Sequence, residues 1–156
     1  MNVISIILRV VLAMVIGGII GTERMVKNQP VGSRTYMVVC LGACLVMLTN
    51  QYIFNMFNSG DPTRLGAQVI SGIGFLGAGT IMVTGNNKIK GLTTAAGLWS
   101  AACIGLAIGI GFYEGAIAVG AAILFIMTVF KDVERKILKK SKALRLYVSV
   151  ETNEAL

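Results

Sequence analysis

Few residues in this 156-residue chain are able to do chemistry, and their types narrow the options at once. Histidine is absent, so no imidazole can ligate zinc or copper or serve as a general base. Beside the apolar runs, the carboxylates reduce to Glu23, Asp61 and Glu114. The basic residues there are Arg9, Arg24, Arg34 and Arg64, and Gln68 is an amide set among apolar neighbours. Cys40 and Cys44 are four apart and Cys103 lies far from both. Three thiols without histidine do not make a zinc site, and they read as small buried apolar residues. With histidine absent, no nucleophile–base pair can be assembled, which points away from an enzyme. A hard divalent cation wants oxygen ligands. Glu23 and Asp61 are the only weak candidates for one, and they fall on opposite sides of the apolar runs, so no metal set is assigned and no cofactor is expected.

The elements that must carry these residues are apolar. Hydrophobic residues make up 55% of the chain and charged residues 13%, about half the usual globular share of roughly 25%. A soluble fold of this length cannot hide that much apolar surface. Five stretches approach the roughly 20 residues needed to cross a bilayer: 3–20, 35–53, 65–83, 91–110 and 113–130. The expectation is an all-α polytopic membrane protein, a bundle of five transmembrane helices over 1–130, with residues 131–156 as a basic linker and the start of a further domain. Both prolines, Pro30 and Pro62, fall between spans. Glu23 and Arg24 follow the first span where a signal peptide would carry small cleavage-site residues.

Charge sets the expected orientation. The loops 21–34 and 84–90 and the segment after Phe130 hold most of the lysine and arginine, so they lie on the cytoplasmic side. The N-terminus is then outside and the C-terminus inside. Residues 131–145 carry seven basic and two acidic residues, most of the chain's net charge of +7. Such a collar anchors topology and attracts anionic inner-leaflet lipid. It has no aromatic interleaving or recognition module that would suggest nucleic acid. Residues 144–151 then alternate apolar and polar, the pattern of a strand, and one strand cannot stand alone in water.

Glycine is plentiful, at 19 residues. Ala13, Gly17 and Gly21 share one helix face, as do Gly97, Ala101, Gly105 and Gly109, then Gly74 with Ala78, and Ala116 with Gly120. Small residues let helices approach closely in lipid, so the stripes fit packing within the bundle or a homodimer through one of them, with the 97–109 stripe as the candidate. Gly72, Gly74 and Gly77 match dinucleotide-binding spacing, but they sit inside an apolar span with no acidic residue between Asp61 and Glu114, and that reading fails. Gly72, Gly74, Gly77 and Gly79 instead mark a bend or hinge candidate in the third span. Arg9 lies about 9 Å below Val3 in a helix, where a charge pairs or snorkels, and Asp61 and Glu114 are its candidate partners. Gln68 is expected to bond to a neighbouring helix.

Four blocks carry a family resemblance. They are GGIIGTER at 17–24, VGSRT at 31–35, RLGAQVISGIGFLGAGTIM at 64–82 and KGLTTAAGLWSAA, with Trp99, at 90–102. In this order they resemble the MgtC/SapB family of bacterial inner-membrane proteins. The resemblance implies a five-helix membrane domain, followed in longer members by a cytoplasmic ACT-like domain. It also implies a link to Mg²⁺ limitation and to survival of pathogens inside host cells. The expected role is regulation through contacts with other membrane proteins, including the membrane sector of ATP synthase. The alternative is a Mg²⁺ transporter or channel in which Glu23, Asp61, Arg64 and Gln68 line a path beside the third helix.

Overall fold

The computed structural model describes residues 2–58, 60–84 and 88–130, and the collar at 131–145 and the strand pattern at 144–151 lie outside them. Five helices follow one another along the described residues: α1 Val3–Val26, α2 Ser33–Phe57, α3 Arg64–Gly79, α4 Leu92–Ile110 and α5 Tyr113–Phe125. A π-helical turn, Ile126–Phe130, continues α5. Four of these helices are long and apolar enough to cross a membrane: α1, α2, α4 and α5 with its π turn. Their outer faces leave Ile4, Leu8, Phe57, Phe125 and many other large apolar side chains exposed, as a lipid solvent requires.

The third helix departs from expectation. It has 16 residues rather than the 19 read from the sequence, about 24 Å against a hydrocarbon thickness of about 30 Å. It is helical from Arg64 to Gly79, with Gly72, Gly74 and Gly77 inside it and Gly79 its last residue. At its C-terminal end the Thr80 hydroxyl donates to the Gly77 carbonyl at 2.8 Å. The next residues then leave for a hairpin. β1 Met82–Thr84 pairs antiparallel with β2 Lys88–Lys90, with Met82 opposite Lys90. A segment expected to be partly span and partly loop is thus a strand pair.

Gly91 joins the hairpin to α4. Its φ is +96°, and a Cβ there would overlap the Thr80 carbonyl, so only glycine lets the chain turn so close to the end of α3. At the other end of α4, Gly111 repeats the left-handed conformation at φ +96°.

The core is built around α4, which touches all four other helices. Ile104, Ile108, Leu98 and Ala101 meet Tyr36, Cys40 and Cys44 of α2 and Ala13 and Ile20 of α1. A second cluster joins Ala43 and Met47 to Ile73 of α3 and Ala102 and Leu106 of α4. Cα-level approach makes these seams. A Cβ at Gly109 would sit 2.6 Å from the Cys44 carbonyl oxygen, and one at Gly17 would sit 2.8 Å from the Tyr36 carbonyl oxygen. Gly105 is tighter still against the Cys40 carbonyl.

Candidate functional site

The polar residues gather at the two ends of the bundle. At one end, α1 finishes, α2 and α4 begin, Glu23 meets Lys27, and Arg24 meets the uncharged Gln29 and Thr94. Arg24 is buried at 6% exposure. Its Nη2 donates to the Thr94 hydroxyl at 2.8 Å and to Gln29 Oε1 at 3.1 Å. The Tyr36 hydroxyl donates to the Thr94 backbone carbonyl at 3.4 Å. Glu23 lies one turn before Lys27, whose Nζ is 2.5 Å from Oε1 and also donates to the Met127 carbonyl at 2.7 Å. The Glu23 side chain is only 10% exposed. The Lys27 contact is an ion pair without hydrogen-bonding geometry, and among the described residues both Glu23 oxygens and Arg24 Nε lack a hydrogen-bond partner. A buried carboxylate held by Coulomb attraction alone is costly, so this cluster holds unspent polar capacity.

The opposite end is organised by Arg9. Its Nε donates to the Tyr113 hydroxyl at 3.1 Å. Its Nη1 donates to Gln51 Oε1 at 2.7 Å and to the Gly109 carbonyl at 2.8 Å. Arg9 therefore meets neither of its two candidate carboxylates among the described residues. Asp61 and Glu114 are both exposed, and three neutral acceptors on α2, α4 and α5 satisfy the guanidinium instead. The planar fork suits this role, because its donors reach several acceptors at once. Nothing in the spacing marked Gln51 or Tyr113, since both are uncharged and each is far from Arg9 in sequence.

Asp61 precedes α3 and is fully exposed. Its Oδ1 accepts from the Thr63 backbone N–H at 2.8 Å and from the Thr63 hydroxyl at 2.6 Å. These bonds, aided by the Arg64 charge, hold its carboxyl below the ordinary value. The depressed pKa means that the turn gains stability above the unfolded carboxylate pKa of about 3.9 and loses it as pH falls through the lower folded value. Thr63→Ala is expected to move the Asp61 titration upward towards that ordinary value. A carboxyl-carbon NMR titration reads this, and an unmoved midpoint would show that Thr63 is not the cause. Nearby, buried Asn50 ties α2 to this turn, its Nδ2 donating to the Pro62 carbonyl.

The remaining candidates scatter. Arg34 is exposed in the first turn of α2, and Trp99 is 45% exposed on α4. Gln68 is exposed on α3 and makes no side-chain hydrogen bond among the described residues, although a helix neighbour was expected for it. Glu23 is thus at one end, Asp61 and Arg64 at the other, and Gln68 on the outside between them. No group of three potential metal-ligating His, Cys, Asp or Glu residues occurs among the described residues. The glycines divide as well. Gly17, Gly21, Gly97, Gly105 and Gly109 face other helices at close range, and Gly77 faces Ala95, whereas Gly72, Gly74 and Gly79 face open space.

Comparison with known proteins gives this arrangement a family. SapB of Bacillus subtilis is 43% identical over 128 residues, which cover 79% of this chain and 54% of that protein. MgtC of Salmonella typhimurium is 40% identical over 132 residues, 84% of this chain and 54% of that one. "Putative magnesium transporter YhiD" of Escherichia coli K12 is 38% identical over 145 residues, 90% of this chain and 67% of its own length. The chain therefore spans between about half and two thirds of these curated relatives. No solved structure matches it. The model of the MgtC family matches residues 10–136, and the chain belongs to that family.

Proposed function

We propose that this chain is a bacterial inner-membrane protein of Mg²⁺ homeostasis that acts as a regulator, through contacts with other membrane proteins, and carries no solute. Its N-terminus faces outward, and the Glu23 end lies at the cytoplasmic surface beside the basic collar. The observation that carries the reading is the sealed interior between the two polar clusters. Ile20, Tyr36, Cys40, Cys44, Leu98, Ile104 and Ile108 fill that space at 0–2% exposure. Close-packed apolar atoms leave a hydrated cation no route, because burying an ion without its oxygen shell costs several kcal/mol or more. The four residues of the transporter reading do not line one path, since Gln68 and Arg64 are exposed and Glu23 sits at the far end.

The purified chain in liposomes loaded with a Mg²⁺-sensitive dye tests this. The expected result is dye response no faster than in empty liposomes. Rapid Mg²⁺ entry that disappears in Glu23→Ala or Asp61→Ala would overturn the regulator reading and restore the transporter.

A further inference from the structure

We infer that the outward face of α3 is where a second copy of this chain packs, forming a two-fold dimer. This goes beyond the proposed regulatory role and does not depend on it. The buried face of α3 is Gly66, Ile73 and Gly77, which meet Met47, Leu106 and Ala95. The opposite face carries Arg64, Gln68, Ser71, Gly72, Phe75 and Gly79, all exposed, with Phe75 at 83%. Lipid-facing helices favour large apolar residues, yet among the described residues a Cβ at Gly72 or Gly79 would touch nothing within 4 Å. Small residues on an outer face gain nothing from lipid, and they allow close approach of a second helix. Gln68 adds an exposed amide with no side-chain hydrogen-bond partner among the described residues, so it can both donate and accept across an interface.

Helix length makes an independent case. At 16 residues α3 is shorter than the hydrocarbon core, and a short helix relieves that mismatch by being flanked with protein rather than lipid. α4 and, less extensively, α2 flank it, and its opposite face is uncovered among the described residues.

The charges identify the occupant. A two-fold interface must be self-complementary, so each residue on the face must suit what its symmetry mate presents. Asp61 and Arg64 stand together at one end of the face, both exposed and neither in an ion pair among the described residues. When two α3 helices lie side by side in parallel, Asp61 of each faces Arg64 of the other, twice. Gln68 meets Gln68, and an amide is both donor and acceptor, so the pair satisfies itself. Gly72 and Gly79 let the backbones close, and Phe75 covers the seam.

Cysteine crosslinking of the full chain in membranes tests the interface. Cys40 and Cys44 are buried, so a Cys103→Ala background suffices. Phe75→Cys and Gly79→Cys are expected to give disulfide-linked dimer. Ile117→Cys, equally lipid-exposed but on α5, is expected to give little. Gly72→Leu fills open space on the protomer, so the protein stays folded and becomes monomeric by native mass spectrometry. Asp61→Arg or Arg64→Asp alone places like charges across the axis and weakens the dimer about tenfold, and the double exchange restores it. Three results would each overturn the inference: crosslinking at Phe75→Cys no greater than at Ile117→Cys, adducts to a different protein in place of dimer, or failure of the double exchange to rescue.

Discussion

Gly105→Ala is expected to destabilise the bundle severely, whereas Gly74→Ala, the same added methyl one helix away, is expected to leave it unchanged or slightly improved. At Gly105 the new Cβ would meet the Cys40 carbonyl oxygen, the Ala43 Cβ at 2.9 Å and the Cys40 carbonyl carbon at 3.0 Å. Two of those three atoms are backbone in the middle of α2, so no rotamer change relieves the clash. α2 and α4 must separate, and with them the packing of Tyr36, Cys40 and Cys44 on Ile104 and Ile108. Overpacking a core costs about 1–3 kcal/mol where side chains can yield, so a backbone clash stands at about 3 kcal/mol or more. In a chain of this size that lowers Tm by about 6–12 °C. At Gly74 nothing among the described residues lies within 4 Å, and alanine improves helix propensity by up to about 1 kcal/mol. Thermal unfolding in detergent, followed by Trp99 fluorescence, compares the two directly. Equal Tm values for the variants would mean that the α2 and α4 backbones are not in contact at Gly105.

The contrast between those two glycines explains which parts of the fold were legible. Hydropathy located every helix, because span length is a property of consecutive residues. It placed the end of α3 too late, because Ile81, Met82 and Val83 are as apolar as the helix before them. Beyond the helix the chain pairs Met82 with Lys90, a contact that periodicity does not encode. Spacing put Gly97, Gly105 and Gly109 on one face, and equally Gly74 with Ala78. It held no information on which face meets α2 and which meets nothing. Charge was a partial guide to the polar clusters. Glu23, Arg24 and Arg9 were visible as ionisable groups at membrane depth. Their companions Thr94, Tyr36, Gln51 and Tyr113 were not, because a neutral hydroxyl or amide announces itself only when the fold brings it within 3 Å or so of a donor. For Arg9 the candidates named from sequence were the two carboxylates, and its neutral partners were missed for the same reason. Coulomb reasoning ranks charges first, whereas a guanidinium in a helix bundle is equally served by three well-aimed oxygens.

Lys27→Met is expected to be among the most damaging single changes at the Glu23 end, and the pairing of Lys27 with Glu23 decides its size. An exposed ion pair one helical turn apart contributes about 0.3–0.5 kcal/mol. Here the carboxylate is only 10% exposed, lacks any hydrogen bond among the described residues, and has Lys27 as its one salt-bridge partner there. Removing the ammonium leaves a buried charge uncompensated, which costs about 3–5 kcal/mol in a fully buried pair. Lys27 itself is a quarter exposed, so solvent screening places the expected loss near the lower end, about 3 kcal/mol. Glu23→Gln removes the other charge and leaves Lys27 its bond to the Met127 carbonyl, so it is expected to cost far less. The double variant Glu23→Gln with Lys27→Met should then recover most of the loss, giving a coupling of about 2 kcal/mol between two residues in contact. Denaturant or thermal unfolding of the four proteins closes this cycle. If the double variant is as unstable as Lys27→Met alone, Glu23 is not the group that suffers, and the damage lies in the lost tie between α1 and the π turn at Met127. Recovery in the double variant instead makes Glu23 a charge that the fold tolerates only because Lys27 lies over it, and a partner that drew Lys27 away would have to supply a positive group in its place.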